Sequence, residues 1–171
     1  MSTMKSKVAA GMAAVLLASL AAAAPGEGLV IKRNAHEGAP FSSSVWAGDT
    51  LYVSGMIAEG VAPAGSPPGT RPSITGDTYE QTLNILTNLS KALKEQGLSM
   101  GDVIQMHVYL VADPAHDGKM DFGGMNKAYV RFFGTQEQPN KPVRAALQVA
   151  GLALPGALVE IEVTAARPAR H

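Results

Sequence analysis

Two stretches of this sequence carry helical periodicity, and the other patterned segments read as β-strands. That ratio constrains the fold most, because two helices can cover only one face of one sheet. The first helix is bounded by its own signals. Asp77 followed by Glu80 has the form of a capping box, and Gly97 suits the position just past the last turn. Between them Leu83, Leu86, Ser90 and Leu93 recur at helical spacing, widened by Ile85, Leu89 and Ala92. The second helix is "NKAYVRFFG", led in by "MDFGGM". Its expected buried stripe is Met125, Ala128, Tyr129, Phe132 and Phe133, and Gly134 ends it. Gly123 and Gly124 should weaken its first turn by about 1 kcal/mol each.

The strands come in blocks. "SSSVWAGDTLYVSGMI" (42–57) predicts a hairpin around "AGD", and "DVIQMHVYLVAD" (102–113) a single strand. "KPVRAALQVAGLALPGALVEIEVTA" (141–165) predicts a second hairpin, turning at Pro155-Gly156. A short strand is expected at "LVIKR" (29–33), and the Pro/Gly-rich residues 58–76 form a long loop. The order hairpin, helix, strand, helix, hairpin is that of an α+β two-layer sandwich: one mixed sheet with both helices on one face.

The other face needs its own account. Alternation assigns Leu51, Val53, Ile57, Met106, Val108, Leu110, Val143, Ala145, Leu147, Val149, Val159, Ile161 and Val163 to the helices. It leaves Tyr52, Ser54, Met56, His107, Tyr109, Val111, Arg144, Ala146, Gln148, Glu160 and Glu162 on the open side. That set is too polar for a dry core and too lightly charged for a solvated surface, which is the character of a subunit interface. A sheet face open to water is the alternative. On the interface reading Arg144, Glu160 and Glu162 share a face with Ser54 and Tyr109. His107 and Glu162 read as interface residues and Trp46 as packing.

Composition narrows the functions. The chain has 171 residues, zero formal net charge and no cysteine. Neutrality disfavours nucleic acid as the partner. Without cysteine there is no disulfide, thiolate nucleophile or cysteine metal site, and the four histidines show no ligand spacing, so no metal is expected. The N-terminus has Lys5 and Lys7, then an uncharged run from Val8 to Ala24 ending in small residues. This is a signal-peptide layout, with cleavage expected after Ala23; a retained transmembrane anchor is the alternative reading of the same run. The signal-peptide reading predicts a periplasmic or secreted protein without stable membrane association after cleavage. The expected organisation is a signal peptide (1–23), a linker with a short strand (24–37), a folded domain (38–166) and a loose tail (167–171).

"LYVSGMIA", "VYLVAD", "MNKAYVRFF" and "PVRAALQVAGLALPGALVEIEVTA" resemble the YjgF/UK family of reactive-intermediate deaminases, the Rid proteins. The resemblance implies a chorismate-mutase-like fold assembled as a homotrimer, with the sheets forming an inner barrel and sites in clefts between subunits. It also implies hydrolysis of enamines or imines such as 2-aminoacrylate to a 2-keto acid and ammonia, with no metal or organic cofactor. Carried over by motif, Arg144 holds the substrate carboxylate and Glu160, first glutamate of "VEIE", positions and activates the attacking water. Ser54, Gly55, Phe41, Asn126 and Ala146 fall at substrate-binding positions. Phe41 stands where the family usually has tyrosine and Met56 where glutamine is usual. Ala145 and Ala146 replace a common Ser-Cys or Ser-x pair. These losses leave a second reading, a non-catalytic trimer of the same fold that binds small carboxylates or a partner.

Overall fold

The computed structural model describes residues 28–169, apart from 63 and 71. The expected signal peptide, residues 1–23, lies outside the described residues. One sheet contains β1 (Ile31–Asn34), β2 (Ser44–Ala47), β3 (Thr50–Ile57), β4 (Val103–Val111), β5 (Val143–Val149) and β6 (Val159–Ala166). Their spatial order is β1-β2-β3-β6-β4-β5. Every neighbouring pair is antiparallel except β4 and β5, so the sheet is mixed, as expected. Helices α1 (Thr78–Glu95) and α2 (Phe122–Tyr129) pack on one face.

The ends of α1 follow from the residues that flank it. Glu80 N–H donates to Asp77 Oδ1 (2.8 Å) and Asp77 N–H donates to Glu80 Oε2 (3.2 Å). Gly97, at φ 73°, takes the left-handed position that a side chain would strain. Its buried face is Thr78, Gln81, Thr82, Ile85, Leu86, Leu89 and Leu93. Leu83 and Ser90 are only half-buried, so the stripe lies to one side of the expected one. The second helix starts at Phe122, with Gly123 and Gly124 in its first turn as expected, and Asp121 caps it by accepting from Gly124 N–H at 2.8 Å. It ends at Tyr129, and Phe132 and Phe133 pack from the turns beyond.

The expected second hairpin is not one. β5 runs parallel to β4 at the sheet edge, while β6 inserts between β3 and β4. Residues 150–158 cross the end of β4, where Val111 N–H donates to the Leu158 carbonyl at 2.9 Å. Buried Gln81 fastens this crossing: its Nε2 donates to the carbonyls of Gly76 (3.0 Å) and Gly156 (2.9 Å), and its Oε1 accepts from Leu158 N–H (2.8 Å). Ile74 N–H donates to the Pro155 carbonyl at 3.0 Å, tying the 58–76 loop to the same turn.

Register corrects two face assignments. On β4 and β6, Met106, Val108, Ile161 and Val163 do face the helices, and His107, Tyr109, Glu160 and Glu162 the open side. On β5 the assignment inverts. Arg144 pairs with Met106 and Ala146 with Val108, whereas Ala145 pairs with His107 and Leu147 with Tyr109. Arg144 and Ala146 therefore lie on the helix face, and Val143 and Leu147 are 69% and 53% exposed on the other. On β3 an irregularity between Val53 and Met56 shifts the phase. Met56 then pairs with Ile161 on the core side and Ile57 with Glu160 on the open side.

Candidate active site

The residues expected to form the site fall into two groups. The first surrounds Arg144 on the helix face. Its Nη2 donates to Asn126 Oδ1 at 2.7 Å, and Nη1 lies 3.6 Å from Met125 Sδ. Its guanidinium carbon stands 4.3 Å from the ring centre of Tyr129 and 5.8 Å from that of Phe122. Ala146 follows on the same face, packed against the core. Among the described residues no carboxylate pairs with Arg144. Burial raises the Tyr129 phenol above its ordinary 10.0, opposed by the Arg144 charge beside it.

The second group lies at the β3 irregularity. Ser54 Oγ donates to the Ser42 carbonyl (2.8 Å), and Ser54 N–H to that of Ser43 (3.0 Å). This fixes the segment that carries Phe41, a residue that is 65% exposed. The Glu160 carboxylate lies directly over Gly55; a Cβ there would overlap Oε1. Glu160 has no ion-pair partner among the described residues. Met56, expected beside this group, has turned into the core.

Ser54, Gly55 and Glu160 are thus together, as are Arg144 and Asn126. The two groups occupy opposite faces of the sheet within one protomer, which corrects the expectation that Arg144 and Glu160 share a face. Within a regular strand such as β5 the side chains alternate, but the parity between strands is set by register, and an edge strand paired in parallel gives no local sign of it.

Alternation placed a further cluster on the open face without linking its members. Glu162 Oε1 accepts from His107 Nδ1 and from the Tyr109 hydroxyl, each at 2.9 Å. Gln105 Nε2 lies 3.2 Å from His107 Nε2. The bond to Glu162, with burial and the charges of Glu162 and Glu160, holds the Tyr109 phenol above its ordinary 10.0. Beside this cluster Tyr52, Gln105, His107, Glu162 and Thr164 line a groove of ≈ 290 Å³. Sequence reasoning also missed Tyr129 and Phe122 as neighbours of Arg144. The signal available was their spacing with Met125 and Asn126 along one helix face.

The sequence matches the family described as endoribonuclease L-PSP across residues 32–167. A RutC family protein of Pyrococcus horikoshii is 33% identical over 126 residues, covering 74% of this chain and 86% of that protein. A protein of Mus musculus named 2-iminobutanoate/2-iminopropanoate deaminase is 35% identical over 126 residues, covering 74% of this chain and 80% of the mouse protein. Among solved structures, a YjgF family protein of Neisseria meningitidis superposes with a TM-score of 0.63 at 24% identity, over 84% of this chain and 100% of that one. That last likeness establishes the fold.

Proposed function

The chain belongs to the endoribonuclease L-PSP (YjgF/RutC) family, and on that premise we propose that it is an exported hydrolytic deaminase. Its substrates are enamine- or imine-derived acids of the 2-iminopropanoate kind, and its sites are shared by adjacent protomers of a homotrimer. The observation that carries this reading is the state of Arg144. Its guanidinium is held by Asn126, Met125 and Tyr129, yet no carboxylate of the described chain pairs with it. A cation fixed in position without an internal anion is suited to an external one, and guanidinium pairs with a carboxylate bidentately. The deaminase names of relatives such as the mouse protein point to the same substrate class.

In this scheme Arg144 of one protomer holds the substrate carboxylate. Glu160 of the neighbour accepts a proton from water as its oxygen attacks the imine carbon. The C–O bond forms as the C=N π pair moves to nitrogen, giving a carbinolamine. Glu160 returns the proton to nitrogen; the carbinolamine hydroxyl then gives up its own proton, which Glu160 relays to nitrogen as the C=O bond closes and the C–N bond breaks, so ammonia and a 2-keto acid leave. The imine is already electrophilic, so neither metal nor organic cofactor enters the scheme. Two protomers are required because the two side chains lie on opposite faces of one. Support for a trimer comes from the open face, where Tyr52, Val143 and Leu147 remain more than half exposed. Export rests on the sequence of residues 1–23. A ribonuclease role, named in the family's description, gains no support from a chain of zero net charge.

The test is the decay of 2-iminopropanoate generated in situ by an amino-acid oxidase, with and without the purified protein. The protein should accelerate the decay. Arg144→Ala should lower kcat/KM roughly thirtyfold or more, because a charge-assisted clamp of about 2–5 kcal/mol is lost. Equal decay rates with and without the wild-type protein would overturn the deaminase. Saturable 2-keto acid binding without turnover would favour the non-catalytic carboxylate binder.

A further inference from the structure

We propose that Tyr129 is the positioning residue for Arg144: its ring is a platform that fixes the guanidinium plane, and without it the carboxylate clamp is not formed. The inference rests on Arg144 being the carboxylate-binding group.

The geometry is that of one helix face. Phe122, Met125, Asn126 and Tyr129 stand at i, i+3, i+4 and i+7 along α2, so their side chains line one stripe. All four reach Arg144. Asn126 fixes one Nη atom and Met125 sulfur approaches the other. Tyr129 lies nearest the guanidinium at 4.3 Å, with Phe122 farther off at 5.8 Å. Attraction between a cation and a ring face holds within about 6 Å of the ring centre and strengthens as water is excluded. Tyr129 does not float under this load. It stacks on Phe133, with ring centres 4.8 Å apart and an interplanar angle of 20°, and Phe133 is 2% exposed. Met125 is 1% exposed, so the middle of α2 is equally anchored. The chain Phe133–Tyr129–Arg144 thus carries rigidity from the core to an edge strand, where an arginine would otherwise sample many rotamers.

Asn126 and Met125 constrain the guanidinium within its plane, through its nitrogen atoms. A face-on ring constrains the tilt, which neither of them does. A fork that tilts presents one N–H to a carboxylate instead of two, so the ring governs whether the pairing is bidentate. The phenol hydroxyl has no part in this, and the prediction separates ring from hydroxyl.

The experiment compares Tyr129→Phe, Tyr129→Leu and Arg144→Ala in the deaminase assay, with circular dichroism to confirm folding. Tyr129→Leu should raise KM roughly tenfold, the scale of a lost cation–ring contact, and change kcat far less. Tyr129→Phe should restore KM to within about threefold of wild type. Calorimetric titration with pyruvate should show the same order of affinities. If Tyr129→Leu folds and keeps the wild-type KM while Arg144→Ala loses activity, the positioning role is overturned and the active site stands. Equal impairment by Phe and Leu also overturns it, since the hydroxyl would then be the working group. If Arg144→Ala keeps full activity, the reading on which the inference rests is the one that fails. Should Tyr129→Leu not fold, NMR of the wild type decides. Ring-current upfield shifts of the Arg144 δ protons and slowed rotation of its guanidinium are expected, and unshifted, freely rotating signals would overturn the proposal.

Discussion

Gly55 shows how much of the proposed chemistry depends on one missing atom. The Glu160 carboxylate occupies the space a Cβ would need at position 55. The displaced group would be the end of a flexible side chain, so Gly55→Ala should cost little stability, about 1 kcal/mol or less. On the proposed chemistry, in which Glu160 activates the water, moving its carboxylate by an ångström should lower kcat by roughly a hundredfold. Steady-state kinetics with a parallel denaturant titration checks the pair of outcomes; intact kcat would remove Glu160 from the proposed chemistry. At this scale the sequence was informative about identity and poor about direction. The "SG" and "VEIE" motifs marked Ser54, Gly55 and Glu160, which do lie together. The phase shift between Val53 and Met56 had one local sign, Gly55 inside the strand, which often marks a bulge, but the direction in which it turns Met56 was not legible. Met56 was consequently expected in a site from which it has turned away.

Elements were legible where the signal is local. Asp77, Glu80 and Gly97 fix the ends of α1 through hydrogen bonds and one backbone angle, all written within a few residues. Pairing between strands is not local. Residues 143–149 and 159–166 are neighbours in the chain, yet β4 lies between them in the sheet. The connection at 150–158 is too long for a tight hairpin turn, and that length was the available warning. What holds the crossing is Gln81, a buried polar residue on the apolar side of α1. Gln81→Leu would leave the Leu158 N–H and two carbonyls without that partner. With about 1–3 kcal/mol for each buried group left unpaired, partly relieved by water, a loss of about 2–4 kcal/mol is expected. Urea unfolding measures it, and a change below about 0.5 kcal/mol, typical of a surface substitution, would mean the crossing is held by other contacts.

At the scale of the whole molecule the architecture of the described residues was legible: two α-helices, one mixed sheet, and an uncovered face of mixed polarity. That face carries exposed Tyr52, Val143 and Leu147 around the His107–Glu162–Tyr109 cluster. What the sequence did not convey is that Arg144 and Glu160 are separated by the sheet itself. If they form one site, they do so between protomers, and subunit mixing tests this most directly. Arg144→Ala and Glu160→Gln chains, each strongly impaired alone, are co-refolded in equal amounts. In a cyclic trimer each site then pairs Arg144 of one chain with Glu160 of the next, so about one quarter of the sites are intact. Recovery of about a quarter of wild-type activity is the predicted result, and a mixture no more active than either parent would contradict it.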